Sequence, residues 1–545
     1  MSNDTPRPGE PEYLGDAPAA TTAEAPGRSR RGLVGAAAAA GVLGVVAVGG
    51  WAAVSLMSSG EQPAVAVPAN ALGYVSLDLD PSAGQKIEAI KLAKKFPALD
   101  EELGMDAQED LRKRLFEEIE KETDCGLDYD RDVAPWIGDR VAMAAVPTGD
   151  KGGVAPLVTL QVTDQEAADE GLAKLFACDE AGDEEAAVSF SGDYALITET
   201  QENADAFAKA ADESSLADDE DFTTWTEAVG EPGVVTMYAA AGALGEVDWL
   251  EMMDPTGGMA MGPEEQAMVD EMTTLSDQMT EMYGDVGAMA AVVRFDDGAA
   301  ELEYVGESMP EDFAWAMPEG ASHAGDLPAG TAVAYSVALG EGWLQGYLDT
   351  MESMMGEEFP VDPMMRDFEA QTGIEMPEDL EKLLGDSTSL AVAGDLDIEA
   401  LEHDPAATAA GFRITGDTAE ITGVLDKLRQ LMGPDADMLV VEEGDGTVAV
   451  GLNEEYVQDL VGAGSLGDEA AFQGAVPHAD ESGSVVYVDF DAVSRWVEQG
   501  MGQDGDLAGD EQKILDNLEP LGALGVSGWV EDDGSSRALM RLTTD

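Results

Sequence analysis

The chain has few of the residues on which most catalytic and metal sites depend. Its 545 residues include two cysteines and three histidines, and His323, His403 and His478 have no paired ligand spacing. No Gly-x-Ser-x-Gly turn, zinc signature or phosphate loop with its lysine occurs. These absences disfavour catalysis and predict neither a cofactor nor a metal site. The abundance of carboxylates leaves one alternative, a hydrolase that uses paired acidic side chains.

Basic residues are also scarce. The chain has 27 lysines and arginines against 112 acidic residues, which gives a formal net charge of −85. Proteins that bind a phosphate backbone use lysine and arginine to displace its counterions, so nucleic acid is excluded as a partner. Such an acidic surface is typical of a chain kept soluble by self-repulsion, and a reservoir for cations is the alternative.

One long uncharged run stands near the N-terminus. Residues 32–57 contain no charged side chain and, at about 1.5 Å per residue, exceed the roughly 30 Å hydrocarbon layer of a bilayer. Basic residues precede the run, so the positive-inside rule places the tail of residues 1–31, disordered in composition, in the cytoplasm and the bulk of the chain outside. A cleaved signal peptide is the alternative, but its apolar region normally spans only about 7–15 residues. The membrane-flanking residues are Arg28, Arg30, Arg31 and Trp51.

The two cysteines, Cys125 and Cys178, both follow this run. In an oxidising compartment, a disulfide between them would stabilise the fold by about 4 kcal/mol by restricting the unfolded chain. Two buried free thiols are the alternative.

After the apolar run the chain repeats itself. VPANALGYVSLDLD from Val67 matches LPAGTAVAYSVALG from Leu327, and DVAPWIGDRVAMA from Asp132 matches DLEKLLGDSTSLAVA from Asp379. Three further pairs follow in the same order, starting at Asp212 and Gly462, at Gly233 and Gly483, and at Phe295 and Val530. The order predicts a tandem duplication. Its units are residues 67–310 and 327–545, with linkers at 58–66 and 311–326.

Strand and helix periods alternate within each unit. LGYVSLDLD alternates as a strand, whereas IEAIKLAKKF and AADEGLAKLF carry apolar residues at helical spacing. AVSFSGDYALIT and VVRFDDGAAELEYV predict hairpins with Gly-Asp and Asp-Gly turns. The sequence therefore predicts one transmembrane helix followed by two tandem α+β domains, each with an antiparallel sheet and its helices on one face.

Two short motifs imitate ligand sites. GAGSLG, from Gly462 to Gly467, resembles a dinucleotide turn, but it follows the helical stretch NEEYVQDLV, and its counterpart DESSLA has no glycine. DYDRD, from Asp128 to Asp132, resembles a calcium loop, but Val133 stands where that loop needs glycine. We expect a helix end with a turn and an acidic helix start, respectively, with no nucleotide bound.

Methionine is used heavily between the predicted strands of the first unit. Met268, Met272 and Met279 fall on one helical face with Leu275 between them. Such a pliable apolar stripe is typical of a core or of a helix-pairing surface. A groove for a lipid-like ligand and a thioether site for cuprous ion are the alternatives.

Four stretches of the first unit resemble a known family. VPANALGYVSLDLDPSAGQK, FPAL, DLRKRLFEEI and DYDRDVAPWIGDRVAMAAVP, together with a short tail and one anchor, resemble membrane-anchored bacterial proteins catalogued as domain of unknown function 3352. The resemblance extends over nearly all of the chain beyond the anchor, and PWIGDR is its most specific piece. It implies a location and an architecture but no activity, ligand or catalytic residue.

These observations favour a single-pass protein of the cell envelope whose extracytoplasmic region binds without catalysis. Envelope proteins or lipid are the expected partners, besides the membrane itself. The alternatives are a carrier of an apolar ligand that uses the Met-rich helices and an envelope hydrolase.

Asp139 and Asp386 each follow a glycine at the start of a predicted strand. They are candidates for a binding site or, alternatively, for a turn that orients the strand.

Overall fold

An antiparallel β-sheet forms the centre of the protein. The structure, a computed structural model, describes residues 62–79, 83–97, 112–113, 116, 126–148, 153–177, 186–231, 233–246, 280, 284–308, 320–340, 342–355, 361–401, 403–500 and 509–545. Within these ranges, sixteen strands form one sheet in which every neighbouring pair is antiparallel. The predicted α+β class with antiparallel strands is confirmed.

The strands fall into two successive sets along the chain. The first set is β1 (Gly73–Asp78), β2 (Ile137–Pro147), β3 (Val154–Val162), β4 (Ala187–Ser191), β5 (Tyr194–Thr198), β6 (Val235–Ala239), β7 (Met289–Asp296) and β8 (Ala299–Gly306). The second set is β9 (Thr331–Ala338), β10 (Ser387–Ala393), β11 (Ala410–Thr415), β12 (Val440–Glu443), β13 (Thr447–Gly451), β14 (Ser484–Asp489), β15 (Leu521–Val530) and β16 (Ser536–Thr544).

Helices occupy the longer connections between strands. In the first half of the described chain they are α1 (Ala83–Ala93), α2 (Gln165–Ala177), α3 (Gln201–Glu213) and α4 (Glu220–Ala228). In the second half they are α5 (Trp343–Met355), α6 (Val361–Thr372), α7 (Glu378–Leu384), α8 (Ile398–Leu401), α9 (Thr418–Met432), α10 (Glu454–Val461), α11 (Ala470–Ala475), α12 (Phe490–Gly500) and α13 (Gly509–Leu518).

The strand order is the same in the two halves of the sheet. From one edge to the other it reads β12-β13-β11-β10-β9-β14-β15-β16-β8-β7-β6-β1-β2-β3-β5-β4. Read outward from the central β8–β16 pair, each strand of the first set has its counterpart of the second set at the same distance from the centre. We call this central pair the seam, because it joins the halves into one continuous sheet.

The two hairpins predicted from turn residues are confirmed. β4 and β5 are joined at Gly192, whose φ of +52° suits glycine. β7 and β8 are joined at Asp297 and Gly298, with φ of +46° and +78°. Two consecutive residues with positive φ define the turn whose twist matches antiparallel strands, and Asp-Gly is a favoured sequence for it.

Helices cover both faces of the sheet, so the prediction that they lie on one face was wrong. Tyr74 packs in a core with Phe207 of α3 and Phe222 of α4. The next residue, Val75, packs against the core formed by Leu92 of α1. Successive residues of a strand point to opposite faces. The strands are apolar on both sides, a pattern that favours cover on both faces.

Candidate functional site

One face of the sheet lacks charged side chains over most of its width. On the face that carries Val75, which we call the open face, paired residues form rows across the strands from β11 to β3. One row comprises Phe412, Leu390, Tyr335, Val486, Val526, Met540, Leu302, Val293, Val235, Leu77, Val141 and Leu160. The neighbouring row, which runs through Tyr304, Met237 and Val75, also lacks charge. In a chain with 112 acidic residues, this uncharged area is a local departure from the composition.

The first half of the open face contains an apolar groove of about 560 Å³. Its walls are side chains of β1, β2, β3, β6, β7 and β8: Val75, Met143, Pro156, Met237, Met289, Ala291 and Tyr304. The floor is low because Gly73 pairs with Ala145 on one side and with Ala239 on the other. A Cβ atom built on Gly73 would have only the carbonyl oxygen of Tyr238 within reach, at 4.0 Å. Small floor residues and flexible methionine walls suit an apolar ligand of variable shape.

The described lining of the groove is almost entirely apolar. No carboxylate, imidazole, ammonium or thiol side chain is among its described lining residues. Tyr74 and Tyr238 contribute backbone to it, and their rings pack on the opposite face around Phe222. Burial raises the pKa of both phenols, so both stay neutral and neither serves as a base at neutral pH.

The second half of the open face carries large apolar side chains that are unusually exposed. Tyr335 is 50% exposed, Phe412 46% and Met540 43%. Leu390 lies between Phe412 and Tyr335 in the same row of paired residues, and both neighbours pair with it directly. Contiguous apolar exposure of this kind marks an interaction site, whereas single exposed apolar residues are ordinary.

Nine of the residues singled out from the sequence lie outside the described residues. They are Cys125, Cys178, Met268, Met272, Met279, Arg28, Arg30, Arg31 and Trp51. The disulfide and the Met-rich ligand face therefore stay predictions. No helix of the described ranges is long and apolar enough to span a bilayer, and the predicted span, residues 32–57, lies outside those ranges.

The GAGSLG hexapeptide packs against the chain rather than framing a ligand. It follows the end of α10, as predicted, and a Cβ atom on Gly464 would lie 2.1 Å from the carbonyl oxygen of Leu327. The Leu466 amide donates to that same carbonyl oxygen at 3.0 Å. In the first half the Leu216 amide donates to the carbonyl oxygen of Val67 at 2.7 Å. The glycine at 464 thus permits close backbone contact.

The carboxylates of DYDRD have partners within the protein. Asp128 caps the turn Tyr129–Val133 by accepting from the Arg131 amide at 3.0 Å, and Asp130 pairs with Lys113 at 2.8 Å. The Arg131 guanidinium and the Asp128 amide hydrogen-bond to Asp132 and lower the pKa of its carboxyl to about 2. Among the described residues, no group of three or more histidine, cysteine, aspartate or glutamate side chains is placed to hold a metal ion.

Asp139 and Asp386 occupy equivalent backbone positions beside the first strand of each half. The Leu79 amide donates to the carbonyl oxygen of Asp139 at 2.8 Å, and the Leu339 amide donates to that of Asp386 at 2.8 Å. The Asp139 carboxylate also pairs with Arg112 at 2.8 Å. These contacts fit the turn that orients a strand, and neither residue lines the groove.

Sequence reasoning missed the groove, although a signal for it was present. The stretches RVAMAAVP, GVVTMY and GAMAAVV carry apolar or small residues at almost every position. A strand with only one buried face would alternate with polar residues, so these strands need apolar surroundings on both faces. Met143, Met237 and Met289 then identify the groove side of these strands, because flexible methionine side chains can adapt to an apolar partner of variable shape.

The comparison with protein families agrees with the resemblance seen in the sequence. Residues 33–216 match the family model described as Protein of unknown function (DUF3352). This confirms the resemblance. The DUF3352 match ends at residue 216, so it covers about a third of the chain and a shorter part than the sequence resemblance suggested. Neither the curated proteins nor the solved structures gave a match to the chain.

Proposed function

We propose that the protein is a membrane-anchored, extracytoplasmic binding protein of the cell envelope that holds an apolar, lipid-like ligand on the open face without catalysis. The observation that carries the proposal is the groove, with its walls of methionine and aliphatic side chains and its floor of glycine and alanine. Outside a membrane, transfer of an apolar molecule from water into such a groove is favourable, by roughly 25 cal/mol per Å² of apolar surface buried.

The anchor belongs to the same proposal. The uncharged run of residues 32–57 and the arginines that precede it support a single span with the bulk of the chain outside. The sheet would stay close to the bilayer surface, because Pro63–Ala66, soon after the run, already form a short helix whose Ala64 and Ala66 lie in the core of the first half. Lipid is the most abundant apolar molecule at that position, which favours it over other apolar ligands.

A tandem duplication is the proposed origin of the two halves. Its support is the shared strand order and the contacts that recur at matching residues. Phe222 packs edge-to-face with Tyr238 at 5.1 Å, and Phe472 packs in the same way with Tyr487 at 5.1 Å. The proposed units, residues 67–310 and 327–545, would then each contribute half of the open face.

Binding of a short isoprenoid tests the proposal. We expect the full chain in lipid nanodiscs to be labelled, in the peptides of β1 and β6, by a farnesol analogue that carries a photoreactive diazirine. Ala145→Phe fills the groove with an apolar ring and should lower the affinity at least about tenfold, or ~1.4 kcal/mol.

Ala419→Phe is the matched control, because Ala419 is exposed on α9. It should leave labelling unchanged. Equal labelling of wild type and Ala145→Phe would refute the groove as the site. Copurification of an envelope protein that Ala145→Phe displaces, without any bound lipid, would favour a protein interaction module instead.

A further inference from the structure

The uncharged surface beside the groove continues across the seam into the second half of the open face. Tyr304 of β8 lines the groove and pairs with Ala538 of β16. Leu302, two residues earlier on the same strand, pairs with Met540. Residues two apart on a strand point to the same face. The groove and the exposed side chain of Met540 therefore lie on one continuous side of the sheet.

No charge interrupts this path in the described strands. Beyond Met540, the paired residues are Val526, Val486 and Tyr335, and each lies on the open face by its register. An ionic partner would have nothing to pair with along this row. A second copy of the chain is disfavoured as the occupant, because each copy carries a net charge of −85 and the copies repel.

The length of the path distinguishes between apolar ligands. Neighbouring strands lie about 4.8 Å apart, so the five steps from β3 to β8 span roughly 24 Å and the eleven steps from β3 to β11 roughly 50 Å. One acyl chain fills half of a roughly 30 Å bilayer core, or about 15 Å. An ordinary acyl chain fits within the groove and leaves Tyr335 and Phe412 uncovered.

We infer that the ligand is a single extended lipid chain, longer than an ordinary acyl chain, which lies across both halves of the open face. This inference rests on the proposed function and adds to it the class of ligand, of which a long polyisoprenoid is the type. The groove holds one end of the chain, and the row through Met540 and Tyr335 holds the remainder.

Two probes of the same chemistry and different length test the inference. Photoreactive farnesol, the short probe, and photoreactive solanesol, the long one, are titrated against the full chain in nanodiscs. Solanesol is expected to bind once per chain, to compete with farnesol and to label peptides of both β6 and β9. Tyr335→Glu should lower solanesol affinity about tenfold and leave farnesol affinity unchanged, whereas Ala145→Phe should weaken both.

Leu431→Glu is the matched control, because Leu431 is 48% exposed on α9. It should change neither affinity. Phe412→Gln provides a second variant if Tyr335→Glu does not fold. The extended-chain inference is wrong if farnesol binds as expected but solanesol affinity is unchanged in Tyr335→Glu and Phe412→Gln, or if solanesol binds twice per chain. The proposed function would then stand. If neither probe binds, both are wrong.

Discussion

Asp379 and Asp132, which the sequence repeat matches with each other, make similar contacts in the two halves. Asp379 is almost fully buried, accepts from the Glu375 amide at 2.8 Å and pairs with Lys427 at 2.6 Å. Asp132 accepts from the Asp128 amide at 3.1 Å, and Lys174 lies 3.6 Å from its carboxylate. The carboxylates of the motif that resembles a calcium loop thus accept hydrogen bonds from the protein's own amides and pair with its own cationic side chains.

The first prediction concerns the pH dependence of stability through Asp379. Burial alone would raise the pKa of this carboxyl, but Lys427 and the Glu375 amide outweigh it and the pKa is lowered. A lowered folded-state pKa contributes stability above the ordinary carboxyl pKa, and this contribution is lost as the pH falls through the folded value. Asp379→Asn should therefore cost about 1–3 kcal/mol at neutral pH. Urea unfolding should show the difference from wild type shrinking in acid, and a constant difference would contradict this role.

The second prediction concerns the glycine of GAGSLG that contacts the backbone. Gly464→Ala places a Cβ atom 2.1 Å from the carbonyl oxygen of Leu327, so the chain must shift, at a cost of about 1–3 kcal/mol. Gly423→Ala, inside α9, has nothing within 4 Å of the new atom and should stabilise by about 0.5–1 kcal/mol. Thermal unfolding measures both, and equal midpoints would argue against the packing role.

At the scale of elements, sequence periodicity predicted the parts but not their assembly. The strand β1, the hairpins β4–β5 and β7–β8 and the helices α1 and α2 follow from local periodicity and turn residues. The β8–β16 pair joins chain segments more than 200 residues apart, and local patterns carry no signal for such pairing. The uninterrupted apolar strands indicate helices on both faces of the sheet, whereas the alternating strands indicate helices on one face only.

The third prediction concerns α1, the helix that covers part of the open face. Leu92 packs in a core with Val234 and Phe295, whereas Ile87 on the same helix is 52% exposed. Leu92→Ala should lower the free energy of unfolding by about 2–4 kcal/mol, because it removes buried methyl groups and leaves a cavity. Ile87→Ala should change it by less than about 0.5 kcal/mol. Chemical denaturation of the two variants compares them directly, and a similar loss in both would mean that α1 does not pack as described.

At the scale of the whole molecule, a buried ionic cluster holds the seam. Glu303 of β8 hydrogen-bonds to Arg294 of β7 and pairs with Arg537 of β16 at 3.1 Å. Glu301 lies 2.8 Å from Arg294 and 3.3 Å from Arg541. Two carboxylates of β8 therefore bridge three arginines on the two strands that flank it, and the cluster connects the first half of the chain to the second.

The fourth prediction is that pairing at the seam weakens when this cluster is broken. Glu303→Gln removes one of the two carboxylates that pair with each of Arg294 and Arg537, while Glu301 and Glu531 remain. The loss of these charge-assisted hydrogen bonds should cost about 1.5–3 kcal/mol. Glu213→Gln removes an exposed partner of Lys209 and should cost less than about 0.5 kcal/mol. Hydrogen exchange should show faster exchange at β8 and β16 in Glu303→Gln alone. Unchanged protection there would show that the sheet pairing does not depend on the cluster.

The open face is the feature on which the proposed function depends. Its groove was not predicted, because the residues that form it are ordinary strand residues that are brought together only by the sheet order. The predicted Met-rich face, by contrast, lies outside the described residues and stays a prediction.

The most direct test is native mass spectrometry of the full chain, released from membranes of the cells that produce it. We expect an apolar molecule bound once per chain, lost in Ala145→Phe and retained in Ala419→Phe. A chain that carries no such molecule, or that carries it equally in both variants, would show that the groove does not hold an apolar ligand.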